Sequence, residues 1–219
     1  MNRRLILKLA IFSFLPTGLS LQAHAEEFPI NSNDVNAVPK QFRRKTVNYI
    51  GNHAPGTIVV DTHSKYLYLV QANAKAIRYG IGVGKQGFGW SGGAVIRRKA
   101  KWPTWTPPAQ MVERDPLAAE WAGGMPGGPK NPLGARALYL YQGKVDTLYR
   151  IHGTFVPSSI GKAVSSGCIR LINADIVDLF NRVPTGTSVI VLQNAPRLDD
   201  EGRSGPRKRK GLFSLFERS

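Results

Sequence analysis

"TIVVDTHSKYLYLV", Thr57 to Val70, is the stretch on which the fold turns. Two β-branched and aromatic runs, Thr57-Ile58-Val59-Val60-Asp61 and Tyr66-Leu67-Tyr68-Leu69-Val70, flank the turn-like Thr62-His63-Ser64-Lys65. Such side chains suit a pleated, half-buried surface, and a polar break between two such runs reverses the chain, so the stretch predicts a β-hairpin. The same signature recurs at Ala76 to Val83, Ala94 to Lys99, Ala137 to Gln142, Thr147 to His152 and Thr187 to Leu192. Short strands at this spacing predict a mainly β domain, a sandwich or open barrel with one or two short helices, rather than a parallel sheet with crossover helices.

One helix is well signalled after Leu171. Asn173 is expected to cap it, Asp175 sits in its first turn, Ile176, Leu179, Phe180 and Val183 fall at helical spacing, and Pro184 with Gly186 ends it. Lys101 to Pro132 is long, rich in Pro, Gly and Trp, and without a period. A loop of that length in a compact domain reads as functional, a lid in the simplest case, against an ordered but inert excursion.

Met1 to Ala25 reads as a secretory signal: Arg3, Arg4 and Lys8 start it, Leu9 to Leu15 is apolar, and Ala23-His24-Ala25 is a small-x-small cleavage site. The apolar run falls well short of the roughly 20 residues that span a bilayer. Arg3-Arg4 also loosely resembles a twin-arginine signal, so two export routes stay open. Organisation follows: 1–25 signal, 26–55 irregular lead-in, 56–193 the folded domain, 194–219 a basic, disordered tail. That tail carries Pro206-Arg207-Lys208-Arg209-Lys210 and ends in Leu212-Phe213 and Leu215-Phe216; a solvated tail or a weak contact with an anionic membrane surface are its two readings.

Cleavage removes three positive charges and no acid, turning the net +16 of 219 residues into +13. Nucleic acid is the first partner such a balance suggests, but export argues against it. Membrane phospholipid and cell-wall material are the anionic partners left to an exported protein. Two other signatures fail. Gly82-Val83-Gly84-Lys85-Gln86-Gly87 fits a dinucleotide-binding pattern, yet Phe88-Gly89-Trp90-Ser91-Gly92-Gly93 cannot open the helix that would hold a pyrophosphate. Among His24, His53, His63 and His152, no pair stands at ligand spacing with a nearby cysteine or carboxylate, so no metal and no cofactor are expected.

Cys168 is the one cysteine of the chain and cannot form an internal disulfide. Two readings are open: a buried small hydrophobe, or a nucleophile. A thiol attacks a carbonyl when a neighbour takes its proton and main-chain N–H groups stabilise the oxyanion. His152 ends a predicted strand and can serve as the base. Gly167 permits a tight backbone approach, and Ser166, Gly167 and Cys168 can aim successive N–H groups inward. The Gly153 carbonyl or the Thr154 hydroxyl can orient the imidazole.

The pattern His152-Gly153-Thr154 followed by Ser165-Ser166-Gly167-Cys168-Ile169-Arg170-Leu171 resembles the L,D-transpeptidase (YkuD-type) catalytic domain of bacterial cell-wall enzymes. The upstream strands and the Gly-rich segment extend the resemblance over about Gly56 to Leu192. It implies a mostly β sandwich-like fold, which the strand pattern predicts independently. It also implies attack on the L-centre carbonyl of the diamino acid at position three of a peptidoglycan tetrapeptide stem. D-alanine leaves, a thioester forms on the cysteine, and an acceptor amine, on another stem or on a wall-attached protein, resolves it. Carried over by position, the resemblance makes Cys168 the nucleophile, His152 the general base, Gly153 the orienting carbonyl, and Gly167 with Cys168 the oxyanion donors. Arg170 is then a substrate-carboxylate or a structural arginine. Ser166 departs from the histidine that many members carry there, which leaves His152 as the imidazole for this chemistry. A hydrolytic carboxypeptidase, an inert wall-binding relative and a polyanion-binding protein are the alternatives.

Overall fold

The computed structural model describes residues 27–85, 90–194 and 196–201. The signal at 1–25, the end of the failed dinucleotide pattern at Gln86-Gly87-Phe88-Gly89 and the basic cluster with the apolar end of the tail lie outside the described residues. The expected hairpin is β2 (Ile58–Asp61) and β3 (Tyr66–Gln71), paired antiparallel with Ile58 opposite Leu69 and Val60 opposite Leu67. β4 (Lys75–Gly80) continues the meander. A nine-stranded sheet runs in the order β1-β4-β3-β2-β11-β6-β7-β8-β10. Its remaining members are β1 (Lys45–Asn48), β6 (Gly92–Lys101), β7 (Arg136–Gln142), β8 (Val145–His152), β10 (Ile169–Arg170) and β11 (Ser188–Leu192). A separate parallel pair joins β5 (Val83–Gly84) to β9 (Ala163–Ser165). Gly82 bridges Arg170, which brings the chain after β4 back against the far edge of the sheet.

Alternation divides the apolar side chains between two packed faces. Ile58, Val60, Leu67, Leu69, Ile77 and Tyr79 join Leu138, Leu140, Ile151 and Ile169 in the main core. Val59, Tyr66, Tyr68, Val70 and Ala76 point the other way and pack with Val47 and Tyr49. Both faces of β2 and β3 are thus covered, the condition under which strands read as continuous apolar runs.

Helix α3 (Asn173–Arg182) lies on the main core through Ile176 and Leu179. Its boundary corrects the expected cap: Ile172 holds the cap position, and Asn173 is the first helical residue. The Asn173 Oδ1 instead accepts the Ala135 N–H at 2.9 Å, tying the helix start to the chain before β7. At the other end Lys99 Nζ donates to the Phe180 and Val183 carbonyls at 2.7 and 2.6 Å, satisfying acceptors the last turn leaves open.

Two expectations about the periphery change. The lead-in is not wholly irregular, since β1 pairs with β4. Residues 197–201, expected as part of the 194–219 tail, are instead packed against the sheet. Asp199 is wholly buried and takes hydrogen bonds from Arg78 Nη1 and Tyr68 Oη, both at 2.8 Å, while Arg197 lies 2.8 Å from its other oxygen. Alternating acidic and basic residues read as solvated; the buried Arg78 opposite them could not be foreseen. The 101–132 excursion carries α1 (Ala109–Val112) and α2 (Pro116–Glu120). Asn131 Nδ2 anchors it by donating to the carbonyls of Pro103, Met125 and Pro126. No helix among the described residues is long and apolar enough to cross a membrane.

Removing one partner of a buried ion pair leaves the other charge uncompensated, at a cost of about 3–5 kcal/mol. Asp199→Ala is therefore expected to lower stability by about that amount in urea denaturation, and a loss below about 1 kcal/mol would show that residues 197–201 are not integral to the fold.

Candidate active site

The far edge of the sheet assembles the site. β10 pairs parallel with β8, with Ile169 beside Ile151 and Arg170 beside His152. The Leu171 N–H donates to the His152 carbonyl at 2.9 Å and fixes this register. Side chains alternate across a strand, so Ile151 and Ile169 enter the core while His152 and Arg170 share the opposite face. Cys168 directly precedes β10, and continuing the parallel register back by one residue sets it next to Arg150, whose main chain and charge both act on the thiol. Among the described residues no hydrogen bond joins thiol and imidazole directly.

His152 is 3% exposed, and its Nδ1 lies 2.6 Å from the Gly153 carbonyl. A carbonyl only accepts, so Nδ1 carries the hydrogen in the neutral ring and Nε2 keeps the lone pair. The expectation of Gly153 or Thr154 as orienting group resolves to Gly153; the Thr154 hydroxyl instead accepts the Val156 N–H at 3.1 Å. Gly153 is required sterically as well, because a Cβ there would run into Asn173 Oδ1. Burial, followed by the Arg170 charge, lowers the imidazole from 6.5 to about 4, against the Gly153 and Leu133 main-chain contacts that favour its charged form. The ring is neutral at neutral pH.

The cysteine segment is held by a residue that motif reading passed over. Ser165 is buried, and its Oγ donates to the Cys168 carbonyl at 2.7 Å while accepting the Gly167 N–H at 3.3 Å. One hydroxyl thus closes the turn over Ser166 and Gly167. Gly167 sits at φ +124°, a conformation other residues rarely adopt. Its N–H, expected to face a developing oxyanion, is engaged by Ser165 in this state. Only the clustering of Ser165 beside Ser166 signalled this clamp, since the hydroxyl's partner depends on the turn.

Burial pushes the Cys168 thiol up, while the Arg150 main chain and the charges of Arg150 and Arg170 pull it down. The residue as a whole is only half-buried. On one side of the segment a cavity of about 510 Å³ is lined by Thr154, Ser166 and Arg170, faced by Met111, Arg114 and Leu117 of the 101–132 excursion. On the other side a cavity of about 570 Å³ reaches Gly167, with Lys65, Lys85, Trp90 and Tyr149. Ser166 is exposed at the mouth of the first. The described residues contain no group of three metal-ligating side chains.

His152 and Asp175 make opposite contributions to acid stability. With its folded value depressed from 6.5 to about 4, His152 stabilises above 6.5, and that stability is lost as pH falls to about 4. At 1.36 kcal/mol per unit the loss is roughly 3 kcal/mol. Burial raises Asp175, on the first turn of α3, from 3.8 to about 6, so its contribution is present below 3.8 and lost as pH rises through 6. Unfolding free energies at pH 6.5 and 4 are expected to fall by roughly 3 kcal/mol more in the wild type than in His152→Gln, and Asp175→Asn should shift the same difference in the opposite sense.

Comparison with known proteins gives the family. The family model of the L,D-transpeptidase catalytic domain, YkuD, matches residues 55–191. The probable L,D-transpeptidase YbiS of Escherichia coli K12 is 37% identical over 61% of this chain and 43% of its own length. The probable L,D-transpeptidase ErfK/SrfK of the same organism is 36% identical over 66% of this chain and 46% of its own. The matched part of this chain spans under half the length of these curated relatives. A crystal structure described as a probable carnitine operon oxidoreductase caia from Brucella melitensis is 50% identical over 74% of this chain and all of that one, with a TM-score of 0.49. A likeness in shape at that score adds nothing to the assignment, which the family match carries. Over well more than half its length, this chain belongs to the family of L,D-transpeptidase catalytic domains.

Proposed function

We propose that the protein is an exported peptidoglycan L,D-transpeptidase that uses Cys168 as nucleophile and His152 as base. The observation that carries this reading is the β8–β10 register, which brings the end of β8, with its buried, Gly153-oriented imidazole, alongside the segment that carries the one thiol of the chain just before β10.

With the imidazole low and the thiol high, both groups are neutral at rest, so proton transfer accompanies attack rather than preceding it. The Cys168 Sγ adds to the carbonyl carbon of the stem's third residue, and His152 takes the thiol proton. Negative charge moves to the carbonyl oxygen, towards the N–H groups of Cys168 and Gly167. The 3.3 Å bond from Gly167 to Ser165 Oγ is long and neutral, and an oxyanion, as a charged acceptor, outcompetes it. Collapse breaks the amide bond, His152 returns the proton to the departing D-alanine amine, and the stem remains as a thioester. An acceptor amine then gives its proton to His152 and its lone pair to the thioester, regenerating the thiol. Arg170 faces the 510 Å³ cavity and suits the carboxylate of the leaving residue.

Incubation with tetrapeptide-stem muropeptides is expected to release D-alanine and leave a mass adduct on Cys168; correctly folded protein giving neither would end the enzyme reading. Cys168→Ala should lose turnover while still binding the stem, whereas binding abolished by modest salt and indifferent to Cys168 would favour a polyanion-binding protein. Alkylation of the thiol near neutrality is expected to slow about 10²-fold or more in His152→Ala; equal rates would remove His152 from its role.

A further inference from the structure

The strand pairings that build the sheet also align a row of side chains ending at the thiol. Arg98 of β6 stands opposite Tyr139 of β7 and Tyr139 opposite Arg150 of β8, and the parallel β8–β10 register, continued back one residue from the Ile151–Ile169 pair, brings Cys168 next to Arg150. The members are in contact up to the arginine: the Arg98 and Arg150 guanidinium carbons lie 4.2 and 4.4 Å from the Tyr139 ring centroid. Asp146, four residues back on the same strand, accepts two hydrogen bonds from Arg150, Nη1 to Oδ1 at 2.6 Å and Nη2 to Oδ2 at 2.9 Å. Arg150 Nη1 also donates to the Tyr149 carbonyl at 3.0 Å. A guanidinium seated on an aromatic ring and bidentate to a carboxylate has little freedom left.

We propose that Arg150, seated by Tyr139 and Asp146, is a positioning residue whose fixed positive charge and main-chain N–H hold Cys168 and favour its thiolate, sharing activation of the nucleophile with His152. The inference rests on the reading of Cys168 as the nucleophile. Its direction agrees with the pull that the Arg150 main chain and guanidinium exert on the thiol against burial. The other charged or titratable groups around the thiol are His152 on β8, Arg170 on β10, Lys85 and Lys162 beside the β5–β9 pair, and Arg114 and Asp115 of the excursion. Around Arg150 they are Asp146, Arg98, Tyr139 and Tyr141.

Because the chain has one cysteine, a thiol reagent reports on Cys168 alone in the unfused mature protein. The test is the pH dependence of its alkylation rate. Arg150→Gln is expected to move the midpoint upward by about 0.5–1 unit and slow alkylation at pH 7 about three- to tenfold. Arg150→Lys, which keeps a charge but not the bidentate geometry, should recover most of the rate. Asp146→Asn removes the counter-charge and should move the midpoint down. A folded Arg150→Gln protein with the wild-type profile would overturn the proposal; should that variant not fold, an upward or absent shift in Asp146→Asn would do so. D-alanine release, measured separately, tells the two readings apart. A profile that follows Arg150 without D-alanine release leaves this inference standing and removes the transpeptidase, and release with a profile indifferent to Arg150 does the reverse.

Discussion

The parallel pairing of β10 with β8 is the constraint on which the site depends. Only two residues of β10 take part, yet their register decides which side chains share a face. A slip of one residue would send Cys168 and Arg170 into the core and turn Ile169 out, against the burial of Ile151 and Ile169. Core packing thus protects the chemistry: the aliphatic pair inside holds the polar pair outside. The helix after the segment reinforces this, because Asn173 reaches to Ala135 N–H and leaves room only for glycine at position 153.

Burial and charge oppose each other at this edge of the sheet. Enclosure disfavours both the imidazolium and the thiolate, while Arg150 and Arg170 favour the thiolate and disfavour the imidazolium. The two arginines therefore act in one direction on both groups, towards a neutral base beside a thiol that can shed its proton. Around them, Leu117, Phe155 and Val156 are exposed large apolar residues on the rim of the cavity that holds Arg170.

Much of the fold was legible in the sequence because β-branched and aromatic runs report local preference directly. The hairpin at Ile58–Asp61 and Tyr66–Gln71 falls where its composition places it, and α3 spans most of its periodic stretch. What escaped reading depends on distant partners. Residues 197–201 carry a solvated-looking charge pattern, and only the buried Arg78, brought up by β4, turns Asp199 into an anchor. The same applies to Asn173, whose side chain has a better acceptor role at Ala135 than at its own helix end.

By itself, the sequence determined that the domain is mainly β, that Cys168 has no second cysteine in the chain to pair with, and that His152 precedes a Ser-Gly-Cys run, since residue type and short-range spacing are local properties. Only the tertiary structure decided that Gly153 rather than Thr154 meets the imidazole, that Ser165 clamps the turn, and that Arg150 stands beside the thiol. Those outcomes follow from strand register, which is fixed by burying apolar side chains 17 residues or more apart along the chain, such as Ile151 and Ile169, and no local pattern encodes it.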